Sequence, residues 1–175
     1  VFTMNTATHE LTLVPTKKTV VTIDENADYV AENAEDVIIE LKRTLVGNDT
    51  WNTFCVPFDI SNDDLKAAFG DNVKVAEYSE TAEGTNSTVN FNTMTEPAIT
   101  ANVPVLLKSN TLETSFVFNG DVKAGEAKVA GTNFDFVGIY DASTTIAEGS
   151  YFLANNKLYK SAGSTTIAGT RAYLK

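Results

Sequence analysis

Short runs of alternating polar and apolar residues recur every 10–15 residues along the whole chain, with Gly, Asn or Pro between them. A period of two sends successive side chains to opposite faces of a strand. Many short strands punctuated by turn residues predict a sandwich or a barrel. The strand signals begin with Leu11–Val14 and Thr19–Ile23, separated by a turn around Pro15. Val37–Leu45 starts as an unbroken apolar run and then alternates, with Leu41, Arg43 and Leu45 on one face and Lys42 and Thr44 on the other. After the Gly47-Asn48-Asp49 turn, Trp51–Pro57 is apolar on both faces, which suits a strand covered on two sides and ended by proline. Further strands are expected at Val73–Tyr78, Thr88–Thr93, Val103–Lys108, Ser115–Phe118, Lys128–Val129, Phe134–Tyr140 and Thr170–Leu174, with Glu80–Ser87 as a polar loop. Tyr151–Ala154 and Lys157–Lys160 flank Asn155-Asn156, a two-residue turn of the positive-φ type that asparagine tolerates.

One helix is expected, near 61–70. Ser61 is placed as N-cap with Asp64 three residues on, Leu65, Ala68 and Phe69 share a face, and Gly70 can terminate. Asp63 and Asp64 complement the dipole of its first turn. Ala31–Asp36 suggests one more helical turn. The fold class that follows is mainly β, a β-sandwich or distorted barrel of about ten to twelve short strands with this single helix. Residues 36–175 read as one all-β domain, and residues 1–35 as strands of the same sandwich or the end of a preceding region.

Composition narrows the chemistry. Of 175 residues, 23 are acidic and 13 basic, a net charge of −10. The pI is near 4.5. Nucleic-acid binding and docking on anionic lipid both need a cationic surface, so neither partner is expected. The longest apolar run, Val103-Pro104-Val105-Leu106-Leu107, is far short of a membrane span, and no direct membrane insertion is expected. The chain starts at Val1 without Met or a hydrophobic leader, which reads as a processed or trimmed chain from which any export signal would have been removed. Threonine is the commonest residue, with 24 occurrences, a usage that suits exposed strands in an extracellular setting.

Cys55 and His9 are single, so no disulfide, no thiolate metal site and no histidine zinc set can be assembled within the chain. A Cys–His nucleophile would require those two residues to meet. Cys55 sits in an apolar run, where burial raises a thiol pKa, and it reads as a small core hydrophobe. A serine triad lacks its base, and no phosphate-cradling glycine motif or EF-hand spacing occurs. Paired carboxylates are the one catalytic option left, a low residual chance of a hydrolase. Asp63-Asp64 and Asp24-Glu25 are sequence neighbours that read as ordinary solvated charge. No catalytic, cofactor or metal residue is assigned, no cofactor is expected, and the ligand-binding residues are unknown.

The run Leu41-Lys42-Arg43-Thr44-Leu45, a turn, then Trp51-Asn52-Thr53-Phe54-Cys55-Val56-Pro57-Phe58 resembles a pattern in a C-terminal all-β domain of secreted and surface proteins of Bacteroidetes. The helix at 65–70, Val75–Tyr78, Ile99–Lys108, Phe136–Tyr140, the hairpin Leu153–Tyr159 and Arg171-Ala172-Tyr173-Leu174 follow in that pattern's order. The resemblance covers roughly 37–175 and departs at Val105, where Tyr is common, and Leu174, where Phe is usual. It implies a secreted or cell-surface location and assigns no activity. Trp51 then reads as an apolar anchor or a ligand-stacking ring. Arg171 reads as the partner of a buried carboxylate or carbonyl set, or as a ligand clamp. Two functions compete: a non-catalytic structural, spacer or adhesive module of a secreted or surface bacterial protein, and a carbohydrate-binding module. The second would use exposed rings among Trp51, Tyr29, Tyr78, Tyr140, Tyr151, Tyr159 and Tyr173. The partner is unknown, with a glycan or another surface protein as the options, and two or three exposed coplanar rings would favour the glycan.

Overall fold

The computed structural model describes residues 17–175 and the backbone of two N-terminal strands, β1 (Phe2–Asn5) and β2 (Glu10–Leu13), which pair with each other. Val14, Pro15 and His9 lie outside the described residues. The chain continues through β3 (Val20–Asp24), β4 (Ala34–Lys42), β5 (Asn52–Phe54), the helix α1 (Asn62–Phe69), β6 (Lys74–Glu83), β7 (Asn86–Thr93), β8 (Val105–Lys108) and β9 (Ser115–Val122). It ends with β10 (Lys128–Val129), β11 (Phe136–Ile139), β12 (Thr144–Thr145), β13 (Tyr151–Ala154), β14 (Lys157–Lys160), β15 (Thr166–Ile167) and β16 (Arg171–Leu174). The fold is mainly β and sandwich-like, with no closed barrel. Strand pairs of two residues, such as β12 with β15, carry the count beyond the expected ten to twelve; two residues are too few to show a period.

The sheets stack in layers. β3-β4-β9 forms one, β5-β8-β6-β7 the middle, and β10-β11-β16-β13-β14 the third. The first core lies between the first and middle sheets, where Ile39, Leu41, Phe116 and Phe118 meet Phe54, Val75, Val105 and Leu107. Helix α1 closes this core with Leu65 and Phe69, the latter packed on Phe54 and Phe116 at ring distances of 5.8 and 4.6 Å. The second core lies on the other side of the middle sheet, where Ala76, Tyr78 and Leu106 meet Phe136, Ala172 and Leu174. Covering on both faces explains the continuous run Val105-Leu106-Leu107, because a strand with one wet face would alternate.

The helix forms as the sequence predicts. Ser61 is its N-cap, with Oγ accepting from the Asp64 backbone N–H at 3.2 Å. The carboxylate of Asp64 accepts from the Ser61 hydroxyl at 2.6 Å, whereas a full capping box returns to the cap's backbone N–H. Gly70, at φ +91°, ends the helix and donates to the Lys66 carbonyl at 2.9 Å. Asn155 and Asn156 take φ +49° and +58°, the turn expected between β13 and β14.

Three local expectations are corrected. Ala34–Asp36 begins β4 and is not a helical turn: Asp36 takes φ +50° and donates its N–H to Asp121 across a bulge. Glu80–Ser87 is not a loop, since β6 and β7 stay paired to Glu83 and Asn86 around a turn at Gly84-Thr85. Both strands are polar and largely exposed there, so no apolar period marks them. The strand at Trp51–Pro57 is only three residues long. Beyond Phe54 the chain changes partners, with Cys55 donating to Thr170 and the Val56 carbonyl accepting from Asn102.

Leu106 and Leu107 are neighbours that enter different cores, at 5% and 0% exposure. Leu106→Ala and Leu107→Ala are each expected to cost ~2–5 kcal/mol in urea unfolding. A near-neutral result at either position would mean that the middle sheet is covered on one face only.

Candidate functional site

The most concentrated group of functional side chains is buried where the layers meet. β3 ends at Asp24, and Glu25 continues its parallel course by donating to the Lys42 carbonyl. Arg43 follows the last residue of β4, on the buried face that its alternation predicts. Arg171 opens β16, and Gly169 just before it donates to the Glu25 carbonyl at 3.0 Å. Arg43 Nη1 donates to Glu25 Oε2 at 2.9 Å, and Arg171 Nη2 donates to the same oxygen at 2.6 Å. Oε1 accepts from the Thr44 backbone N–H at 2.8 Å. Arg43 also donates to the carbonyls of Thr44, at 2.6 Å, and Thr53, at 3.1 Å, the latter on the middle sheet.

Glu25 is 6% exposed and Arg43 1%, so the reading of Asp24-Glu25 as solvated charge is corrected for Glu25. Asp24 keeps partial exposure and pairs with Lys42. Of the partners anticipated for Arg171, a carboxylate or a carbonyl set, it has the carboxylate. Burial pushes the Glu25 pKa upward, but the Thr44 N–H and the guanidiniums of Arg43 and Arg171 outweigh it and hold the carboxyl below its ordinary value. Burial and the Arg171 charge pull Arg43 down to about 9, which leaves it a cation at neutral pH.

Cys55 is fully buried. Its Sγ lies 3.6 Å from the Tyr140 hydroxyl, which donates to Asn102 Oδ1 at 2.8 Å. Burial pushes the thiol up to about 12, the reverse of what a nucleophile needs. Asp63 and Asp64 belong to the first turn of α1. Among the described residues no cluster of three or more metal-ligating side chains occurs.

The candidate stacking rings divide by exposure. Tyr78 is 8% exposed and donates to the Phe134 carbonyl at 2.5 Å. Tyr151 packs edge-on against Phe134 beside the second core. Trp51 is half-buried at the rim of that core, not at its centre, with the Lys108 ammonium 5.1 Å from its ring centre. Tyr29, Tyr140 and Tyr173 line a groove of about 420 Å³ with Val30, Val137 and Asp141. Tyr29 meets Tyr140 edge-on at 6.4 Å. Tyr159 is 41% exposed, and its ring stacks on that of Phe152 at 5.7 Å and 26°. Sequence reasoning passed over Phe152, yet the two-residue turn already sets it opposite Tyr159. Nothing in the sequence singled out Glu25.

No family model matches the chain, and no match appears among the curated proteins or the solved structures. Among the described residues no helix is long and apolar enough to cross a membrane.

Glu25→Ala leaves Arg43 buried without its carboxylate and is expected to cost ~3–5 kcal/mol. Arg171→Ala leaves the Arg43–Glu25 pair in place and is expected to cost less, ~1–3 kcal/mol. Because the folded carboxyl titrates below 4.5, its stabilisation is complete above that pH and drains away as pH falls through the folded value. The gap in melting temperature between the wild type and Glu25→Gln should therefore narrow below about pH 4.5; a gap that holds constant to pH 3 refutes the assignment. Native Cys55 should react with a thiol reagent only as fast as the chain unfolds, and Cys55→Ser should cost ~1–3 kcal/mol. Rapid stoichiometric labelling of folded protein contradicts both.

Proposed function

We propose that this chain is a non-catalytic structural or adhesive module of a secreted or cell-surface bacterial protein. The observation that carries this reading is the use made of its potentially reactive groups. The buried carboxylate is saturated by two guanidiniums and a backbone N–H, and the one thiol is enclosed with a raised pKa. Both serve packing and leave no free acid, base or nucleophile at either place. The threonine-rich composition and the ordered resemblance along 37–175 support the location.

Carbohydrate binding is the second reading, and the stacked Phe152–Tyr159 pair favours it. Sugar C–H faces lie well on flat aromatic rings, and Tyr159 is open to solvent.

Thermal melts and glycan-array binding on the same alanine variants separate the two. Under the structural reading the parent domain gives no array signal, and Tyr78→Ala lowers the melting temperature strongly. A reproducible array hit, lost in Tyr159→Ala while that variant melts normally, would overturn the structural reading in favour of carbohydrate recognition.

A further inference from the structure

The hairpin β13–β14 serves two faces at once. Tyr151 and Leu153 point into the second core, so Phe152 and Ala154, one residue out of phase, face the other way. The register places Phe152 opposite Tyr159 and Ala154 opposite Lys157. One face of the hairpin therefore presents a stacked ring pair, a small residue and a lysine. Leu158 and Lys160 fall on the opposite face, although every β14 side chain is exposed.

Charge is segregated here too. The hairpin, residues 151–160, holds two basic residues, Lys157 and Lys160, and no acidic one, in a chain whose net charge is −10. Among the described residues neither Lys157 nor Lys160 enters an ion pair. An exposed tyrosine ring stacked on Phe152, beside an ammonium with no ion-pair partner among the described residues, matches a ligand with apolar ring faces and negative charge.

We propose that this face binds an anionic polysaccharide, one sugar ring lying on the Phe152–Tyr159 pair while a carboxylate of the chain pairs with Lys157. The proposal rests on the carbohydrate-binding reading and names its ligand class and its site. An acidic peptide adding as a strand along the free edge of β14 is disfavoured, because exposed lysines at both ends of an edge strand discourage strand addition. The two modes also differ in which lysines they meet. A strand along the edge passes both Lys157 and Lys160, whereas a sugar chain on the ring face meets Lys157 alone.

Titration of the full chain with oligogalacturonate, followed by amide chemical shifts, tests this against an uncharged galacto-oligosaccharide of the same length. Expected are shifts centred on 151–160, preference for the charged oligomer, and weakening as salt rises. Tyr159→Ala should weaken binding roughly tenfold or more, since a stacking ring carries most of such a contact. Lys157→Gln should weaken it by about fivefold, in the range of one exposed charge contact, and Lys160→Gln should leave it unchanged. All three positions are exposed, so unchanged melting temperatures confirm that each variant is folded. Equal binding of the uncharged oligomer overturns the anionic proposal and leaves the carbohydrate reading standing. Binding of neither overturns both. Equal losses from Lys157→Gln and Lys160→Gln overturn the ring-face mode in favour of edge contact.

Discussion

Two guanidinium groups converge on the carboxylate of Glu25 from strands in opposite layers, and one of them also reaches a carbonyl of the middle sheet. Isolating Glu25 or Arg43 from water costs several kcal/mol, so each is tolerable only while the other is in place, and the partly exposed Arg171 reinforces the pair. This mutual dependence fixes relative position. Glu25 follows the edge strand β3, Arg43 follows β4, and Arg171 opens β16 more than a hundred residues later. A one-residue slip of β3 along β4 would turn Glu25 away from both arginines and leave buried charge unpaired. The cluster thus acts as a register pin for a parallel edge strand that no short turn could hold in phase.

The same geometry explains why two cores can share one sheet. In the middle sheet, Val75 and Leu107 serve the first core while Ala76 and Leu106 serve the second. Over β5, β8 and the start of β6 this sheet offers no polar face, so the polar groups at its ends must be satisfied by neighbours. The Thr53 carbonyl accepts from Arg43 and the Thr53 hydroxyl from the Ala172 N–H, so both outer layers are tied to the middle one at this residue.

What could be read from the sequence follows from how much each pattern depends on local rules. The capped helix at Ser61–Gly70 and the Asn155-Asn156 hairpin are set by residues within one turn of each other, and both appear as expected. The need of Arg171 for a buried acceptor, a carboxylate or a carbonyl set, was legible from its apolar neighbours. The identity of that carboxylate was not, because Glu25 lies 146 positions away and looks like its solvated neighbour Asp24. The paired strands through Glu80–Ser87 were hidden for a different reason. They bury almost nothing, and the carboxylate of Glu80, in contact with Ser87, also takes the N–H groups of Thr132 and Asn133. Apolar periodicity reports burial, so strands held by hydrogen bonds alone leave no trace in it. For the candidate binding face, the pairing of Phe152 with Tyr159 was implicit in the turn, while the exposure of Tyr159 depends on β14 having no further strand beside it among the described residues.

Among the described residues β14 is an edge strand, and the hairpin separates stability from the proposed recognition within four residues. In β13, Tyr151 and Leu153 are bound to the second core, and changing them disturbs the contact between the third and middle sheets. Phe152 and its partners on β14 sit one pleat away and belong to neither core. A strand's period of two lets one hairpin keep its core residues fixed while its outward residues vary with little effect on the fold. The buried ion cluster serves the same division, because it fixes the start of β16, which pairs with β13 at Tyr151–Leu174. Charges withdrawn into the interior hold the frame, while Lys157 and Lys160 on the hairpin enter no ion pair among the described residues.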